Sequence, residues 1–269
     1  MKPVVFLRGG GDLASGVALR LFHSGLSVVI AELPQPLTVR RTVAFSEAVF
    51  DSKIVVEDVT GVRADSFADI DAILEHRNIA VIVDPEAKFL NDAKPLVVID
   101  GRMLKKAPES YQGKTMLAIG LGPGFVAGEH CHAVIETMRG PFLGRVYWQG
   151  TAQADTGLPE RVAGQQAERV LRSPATGVFH ALAEIGDVVT QGQKLAQVGN
   201  EFVLAPFNGL IRGLLHDGVY IEKSVKVGDV DPRFDQRLYQ VVSDKSLAIG
   251  GAVLEVILST PSVRQALYG

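Results

Sequence analysis

Three consecutive glycines follow a short apolar run near the start of the sequence and precede a helical pattern. Glycines allow the backbone to approach a phosphate, and the N-terminus of the following helix supplies N–H groups and a positive dipole end. The segment therefore predicts a site for a phosphate-bearing ligand, the alternative being a tight turn without a ligand. The candidate ligand-binding residues here are Arg8, Gly9, Gly10, Gly11 and Asp12.

An acidic residue, Glu32, ends the second predicted strand, about 20 residues after the loop, where an acid often binds a ribose hydroxyl. The glycine spacing departs from the dinucleotide fingerprint, because Gly9 and Gly11 fit G-x-G but the next glycine, Gly16, comes two residues late. Asp12 also places a negative charge where a phosphate would lie. Both departures argue against a plain dinucleotide site, while Glu32 stays a candidate ligand-binding residue.

A second glycine-rich segment, 120–128, follows another apolar run and precedes a stretch, 130–138, that we predict to be helical. Gly122 and Gly124 are its candidate ligand-binding residues, so that two backbone nests would face one crevice. Arg40 is a further basic side chain expected to pair with a bound phosphate.

One cysteine, Cys131, is present, so no internal disulfide can form, which fits a reducing compartment. We predict that Cys131 is a small buried residue rather than a nucleophile. His132 and Glu136 would share one helix face, either as a hydrogen-bonded pair or as two solvated side chains. No Ser/His/Asp arrangement, zinc-ligand cluster or Walker-type lysine is evident in the spacing, so no catalytic residue or metal ligand is predicted.

Short runs rich in valine and isoleucine alternate with helical patterns through the first half of the sequence. Such runs are typical of buried parallel strands, and the alternation predicts a Rossmann-like, mostly parallel sheet flanked by helices. The ligand crevice of such a sheet lies beyond the carboxyl ends of the strands, where Asp84 and Asp100 are expected as turn or capping residues. The predicted strands are 4–7, 27–31, 53–57, 79–83, 96–99 and 115–119, with helices at 12–22 and 67–76.

The second half contains an internal repeat, in which Ser-Pro-Ala-Thr-Gly-Val at 173–178 recurs as Ala-Pro-Phe-Asn-Gly-Leu at 205–210. The register then holds without a gap, since Gly186 matches Gly218. Two strand-rich halves of this kind predict a pseudo-symmetric β structure.

After the repeat we predict a strand at 238–242 and then a helix that Ser243 caps. Gly250 and Gly251 interrupt the apolar pattern of this helix, and each costs about 1 kcal/mol relative to alanine in a helix interior. We interpret the two glycines as a sign of close packing against another element.

The repeat resembles biotinyl/lipoyl-type domains, which have the barrel-sandwich hybrid fold. Carrier domains of that type bear a modified lysine on the hairpin between the halves, but the corresponding hairpin here, near 198–201, contains no lysine. The resemblance therefore implies a small β-barrel for structure or docking, without biotin or lipoate. The predicted organisation is a Rossmann-like nucleotide- or phosphate-binding domain at 1–140 and a lipoyl-like β-barrel domain with a C-terminal helix at 141–269.

Motifs in both halves occur in a distinctive order, at 8–18, 40–48, 121–125, 228–233 and 243–245. Together they resemble the YqeB-type accessory proteins of selenium-dependent molybdenum hydroxylase systems, over nearly the whole sequence. The resemblance implies a role in molybdenum cofactor biosynthesis or enzyme maturation, but no established reaction. Pro141 stands where the segment after Arg139 usually has a histidine in that family.

The sequence has 269 residues and a net charge of −3, so it carries no electrostatic footprint for nucleic acid. No apolar run approaches the roughly 18 residues of a membrane helix, and the N-terminal apolar run is too short for a signal peptide. We therefore expect a cytoplasmic protein without nucleic-acid or membrane partners.

The sequence is compatible with three functions. The first is an accessory protein that binds a molybdopterin-type or nucleotide ligand and serves a molybdenum hydroxylase partner. The second is an NAD(P)-dependent oxidoreductase, and the third is a non-catalytic scaffold that docks a partner enzyme. Because likeness of fold or family is a weak warrant for function, the sequence does not decide whether any reaction is catalysed.

Overall fold

The computed structural model describes residues 4–104, 106, 108–157, 162, 164–165 and 167–268. The chain forms two compact units. The first consists of Met1–Pro36, Phe45–Thr156 and Val242–Gly269, and the second of Leu37–Ala44 and Gly157–Val241. The C-terminal segment therefore groups with the N-terminal sheet, whereas the sequence suggested a single boundary after residue 140.

The first unit is built around a nine-stranded sheet with the order β3-β4-β5-β2-β1-β6-β7-β8-β9. The seven central strands, β4-β5-β2-β1-β6-β7-β8, are all parallel to one another. The two outermost pairs, β3 with β4 and β8 with β9, are antiparallel. The strands are β1 (Val4–Arg8), β2 (Ser27–Glu32), β3 (Lys53–Val56), β4 (Val59–Ala64), β5 (Ile79–Val83), β6 (Val97–Asp100), β7 (Leu117–Leu121), β8 (Ala133–Ile135) and β9 (Val146–Tyr147).

The prediction of a Rossmann-like parallel sheet is wrong, because this sheet is mixed and has antiparallel pairs at both edges. Only Glu57 and Asp58 join β3 to β4, and so short a link forms a hairpin rather than a crossover. The described residues between β6 and β7, and between β7 and β8, form no helix. This half of the sheet therefore lacks the crossover helices of a doubly wound fold.

The helix predicted at 130–138 is also wrong. The apolar residues of this stretch form β8 instead, and all three of its residues are buried. A strand whose side chains are buried on both faces of the sheet has a continuous apolar sequence, which periodicity cannot distinguish from a buried helix. The other predicted strands and helices of the first 121 residues are confirmed, with bounds that differ by a few residues.

The helices of the chain include one long C-terminal helix. They are α1 (Asp12–His23), α2 (Ala48–Asp51), α3 (Phe67–Glu75), α4 (Lys88–Ala93), α5 (Arg237–Gln240), α6 (Asp244–Ser259) and α7 (Pro261–Tyr268). No single described helix is long and apolar enough to cross a membrane, although the bent pair 237–259 and 261–268 meets the length and composition criteria together.

Close packing of α1 against α6 explains Gly16 of α1 and Gly250 of α6. A Cβ on Gly16 would lie 2.4 Å from the Cβ of Ser246, and a Cβ on Gly250 would lie 2.8 Å from the carbonyl oxygen of Gly16. The helix α6 runs through both central glycines without a break, and its N-cap residue Ser243 accepts a hydrogen bond from the Ser246 N–H at 3.1 Å. The predicted cap is confirmed. The predicted close packing is confirmed for Gly250, whereas a Cβ on Gly251 would meet no atom within 4 Å.

The second unit contains two four-stranded antiparallel sheets, with the orders β10-β17-β15-β12 and β14-β13-β11-β16. Strands 32 residues apart correspond, since β11 begins at Gly177 and β15 at Gly209. The corresponding pairs are β10 with β14, β11 with β15, β12 with β16 and β13 with β17. When each strand is replaced by its counterpart, the order of one sheet becomes the order of the other, and each sheet contains strands from both halves of the repeat. The strands are β10 (Val170–Arg172), β11 (Gly177–Ala181), β12 (Val188–Val189), β13 (Lys194–Val198), β14 (Glu201–Leu204), β15 (Gly209–Leu214), β16 (Tyr220–Ile221) and β17 (Lys226–Asp231).

The internal repeat is therefore present in the structure, but the prediction of a lipoyl-like β-barrel is wrong. The strands form two separate sheets, and the two-residue strands β12 and β16 are too short to close a barrel wall. The strand predicted at 238–242 is also wrong, because α5 occupies most of it. The carboxylate of Asp235 accepts hydrogen bonds from the backbone and side chain of Arg237, and such local bonds favour a turn or helix start over a strand.

Candidate functional site

The carboxyl edge of the central strands is the candidate site of the first unit. From β1 the chain continues to β2 on one side, while β6 pairs with β1 on the other side. Such a change of direction in strand order opens a crevice at the carboxyl ends of the strands. Arg8 and Asp100 are the last residues of β1 and β6, and they are partners in register.

The glycine loop after β1 is held tightly against the neighbouring strand. The N–H of Gly9, which has a φ of +90°, donates to the carbonyl oxygen of Ala31 at 2.8 Å. A Cβ on Gly10 would lie 2.9 Å from the side chain of Ile30 and 3.0 Å from the backbone nitrogen of Ser46. Gly10 is therefore required by contacts within the protein, and Gly9 by its backbone conformation.

Glu32, predicted as a ribose-binding acid, supports this loop. One carboxylate oxygen accepts the N–H of Gly10 at 2.5 Å, and the other accepts the N–H of Leu33 at 2.8 Å. Burial raises the pKa of the Glu32 carboxyl, and the two backbone hydrogen bonds oppose that shift only in part. Glu32 thereby fixes the position of the loop backbone.

The N-terminus of α1 lies at the end of the loop. Gly11 is the N-cap residue with extended backbone, and no side chain caps the first turn. Gly11, Asp12 and Leu13 are partly exposed, so the positive end of the helix dipole is accessible to solvent. The carboxylate of Asp12 accepts a hydrogen bond from the hydroxyl of Ser246 at 3.3 Å.

A buried network of charged groups adjoins the loop. The Tyr111 hydroxyl donates to Asp100 at 2.7 Å and accepts from Arg8 at 2.7 Å. Arg102 binds Asp100 with two nitrogens, at 3.0 and 2.6 Å. Glu109 accepts from Arg8 through one oxygen and from Arg102 through the other, the second at 3.0 Å. Two arginines are thus balanced by two carboxylates around one phenol.

The electrostatics of the network follow from its burial and its pairing. Burial raises the pKa of the Tyr111 phenol, and the negative charge of Asp100 raises it further. Burial alone would raise the pKa of Glu109, but the hydrogen bonds from Arg8 and Arg102 outweigh it and lower the pKa to about 2. At neutral pH the network therefore contains an ionised Glu109 and a neutral Tyr111.

The second glycine loop packs against the segment that leaves β6. A Cβ on Gly122 would lie 2.6 Å from the Thr137 hydroxyl oxygen and 3.0 Å from the Met103 methyl carbon. A Cβ on Gly124 would lie 2.5 Å from the carbonyl oxygen of Lys106. Both glycines have positive φ and make room for the protein's own chain, which lies between the two glycine loops.

Arg40, predicted to pair with the same phosphate, lies in the second unit. Its side chain is buried, and one nitrogen donates to the carbonyl oxygens of Leu238 and Val241 at 3.1 and 2.9 Å. In this position Arg40 binds one carbonyl within α5 and the carbonyl of its C-cap residue.

The histidine and cysteine cluster forms no catalytic arrangement in the described structure. Cys131 is fully buried, as predicted, and burial raises the pKa of its thiol to about 11. The His132 ring nitrogen accepts the N–H of Ala118 at 2.9 Å. The fully buried carboxylate of Glu136 accepts the N–H of Met138 at 2.7 Å. Because this stretch is not helical, His132 and Glu136 do not form the pair that a helix would have produced.

Two aspartates of the strand ends behave differently. Asp84 accepts the N–H groups of Lys88 and Phe89 at the start of α4, both at 2.9 Å, which agrees with its prediction as a turn or capping residue. Asp100 also accepts the N–H of Arg102, yet its main role is in the buried network. Arg102, Glu109 and Tyr111 were not among the predicted site residues, because they lie in an irregular segment without any recognisable spacing.

These features define an α/β protein with a mixed sheet, in which charged and polar side chains form a network at the carboxyl ends of the central strands. No family model matches the chain. It is 44% identical over 265 residues to the uncharacterized protein YqeB of Escherichia coli (strain K12). The alignment covers 96% of this chain and 49% of that protein, so the chain spans about half the length of its relative. The expected YqeB-type resemblance is thereby confirmed.

Solved structures resemble the chain only distantly. An aspartoacylase family protein from Mesorhizobium loti aligns with a TM-score of 0.27 and 11% identity, over 87% of this chain and 86% of that chain. A succinylglutamate desuccinylase/aspartoacylase from Rhodobacter sphaeroides aligns with a TM-score of 0.28 and 14% identity, over 87% of each chain. Likeness at this level carries no information about the chemistry of this chain.

Proposed function

We propose that the chain is an accessory protein for a molybdenum hydroxylase and that it binds a phosphate-bearing ligand of the molybdopterin or nucleotide class. The observation that carries the binding proposal is the partly exposed N-terminus of α1, which begins at Gly11 without a side-chain cap. The first N–H groups of a helix have no partner within the helix, and together with the dipole they favour an anion. The hydroxylase role depends on the YqeB-type resemblance.

The loop geometry supports a phosphate rather than a ribose as the recognised group. Glu32 uses both carboxylate oxygens on backbone N–H groups next to the loop, so it acts as a support of the binding backbone. The loop is therefore preorganised by bonds to β2, and a preorganised site loses less free energy to ordering when its ligand binds.

A pair of substitutions at Gly11 tests the binding site. The φ of −70° and ψ of −177° at this N-cap suit any residue, and both Asp and Asn are good N-cap residues that stabilise a helix. Gly11→Asp places a negative charge where the phosphate would bind, whereas Gly11→Asn is a neutral control of the same size. We expect Gly11→Asp to weaken the binding of ADP or a pterin phosphate by more than tenfold relative to Gly11→Asn, measured by titration calorimetry.

Thermal unfolding with and without each ligand provides a second readout. A ligand at about 100 times its dissociation constant stabilises the protein by about 2.7 kcal/mol, which is easily visible as a shift in melting temperature. Equal ligand affinity of Gly11→Asp and Gly11→Asn would contradict the placement of the phosphate at the N-terminus of α1. A wild-type protein that binds neither a nucleotide nor a pterin phosphate would contradict the proposed function itself.

A further inference from the structure

We propose that Arg8 and Arg102 form a binding site for a carboxylate or phosphate group of a ligand, and that the side chain of Glu109 occupies this site until the ligand displaces it. This inference extends the proposed function, because it adds a second anion-binding position beside the glycine loop. The backbone of Arg102 lies 3.5 Å from the position that a Cβ on Gly9 would take, so the two positions are adjacent.

The charges of the network leave one position for an exchangeable anion. Asp100 is fully buried and accepts hydrogen bonds from two nitrogens of the Arg102 guanidinium, so its charge is already paired within the protein. The guanidinium of Arg8 then remains as one uncompensated positive charge, which Glu109 neutralises. A carboxylate or phosphate from a ligand can make the same pair of hydrogen bonds, because planar guanidinium groups bind both anions in a similar geometry.

Exposure distinguishes Glu109 from the other members of the network. The side chain of Glu109 is 45% exposed, whereas the side chains of Arg8 and Asp100 are 6% and 0% exposed. Tyr111 is also fully buried. The Arg102 side chain is 25% exposed, so the arginine pair forms a prebuilt and mostly buried site with one exposed side. Glu109 contacts both arginines from that side.

Displacement of Glu109 requires only a side-chain rotation. The chain after it is anchored, because the Ser110 hydroxyl donates to the carbonyl oxygen of Glu129 at 2.7 Å. The N–H of Tyr111 donates to the carbonyl oxygen of His130 at 2.8 Å. The phenol can therefore keep its place between Arg8 and Asp100 while the Glu109 side chain turns toward solvent.

Removal of the internal carboxylate should strengthen the binding of external anions. If the site is open in about one tenth of the molecules, the apparent dissociation constant is about tenfold weaker than the intrinsic one. Glu109→Gln should therefore bind inorganic pyrophosphate about tenfold more tightly than wild type in titration calorimetry at low ionic strength. Glu75→Gln, at an exposed glutamate of α3, is the matched control for the change in net charge and should bind like wild type.

Further variants separate this inference from the proposed function. Glu109→Asp keeps the charge on a shorter side chain and should give an intermediate affinity. Arg102→Gln added to Glu109→Gln should abolish the gain. Equal affinity of Glu109→Gln and wild type would overturn the inference. If Gly11→Asp abolishes pyrophosphate binding both in wild type and in Glu109→Gln, the site at α1 is supported and the inference fails. If Glu109→Gln still raises the affinity in the presence of Gly11→Asp, the arginine site is supported independently of the site at α1.

Discussion

Asp100 offers the sharpest test of the energetic importance of the buried network. Its carboxylate is fully buried and accepts hydrogen bonds from Tyr111 and Arg102. Asp100→Asn preserves the shape but removes the charge that compensates Arg102. Breaking a buried ion pair by removing one partner costs about 3–5 kcal/mol. Because the Arg102 side chain is 25% exposed and retains Glu109 as a partner, we expect a value near the lower end, about 3 kcal/mol.

Urea unfolding measures this loss as a lower transition midpoint with an unchanged slope. Asp58→Asn is the control, since Asp58 is 72% exposed in its pair with His23 and exposed pairs contribute about 0–1 kcal/mol. The double variant Asp100→Asn with Arg102→Met removes the stranded charge as well, and it should recover more than about 1 kcal/mol relative to the sum of the single variants. A loss below about 1 kcal/mol for Asp100→Asn would refute the interpretation of the network as a buried, coupled unit.

Two further predictions concern the helix contact and the pH dependence of stability. Gly250→Ala should destabilise the protein by about 1–3 kcal/mol, because its Cβ would lie 2.8 Å from the carbonyl oxygen of Gly16. Gly251→Ala has no neighbour within 4 Å and should stabilise it by up to about 1 kcal/mol; similar urea midpoints for the two variants would contradict the packing. Because the pKa of Glu109 is lowered to about 2, its contribution to stability is present above the usual glutamate pKa and is lost as the pH falls toward 2. Melting curves of Glu109→Gln recorded at several pH values should lack this loss of stability in acid. If Glu109→Gln and wild type lose stability in acid to the same extent, the pairing of Glu109 with Arg8 is not the cause of the acid dependence.

Local pattern predicted those elements whose sequence signal is local. The apolar run before Gly9 and the helical pattern after it correspond to β1 and α1, and the repeat at a spacing of 32 residues is present in the second unit. The burial of Cys131 was predicted from the usual behaviour of a lone cysteine. In each case a few neighbouring residues carry the information, through propensity, capping or repetition.

Strand direction and long-range pairing were decided only by the tertiary structure. An apolar run such as β8 is compatible with a helix or with a strand, and its partners β7 and β9 determine which forms. The network of Arg8 and Glu109 joins residues separated by 101 positions, and no spacing along the chain encodes that contact. The first strand, its helix and the repeat are therefore determined locally. Sheet order, the need for glycine in the loops and the pairing of charges depend on which distant segments share one edge of the sheet.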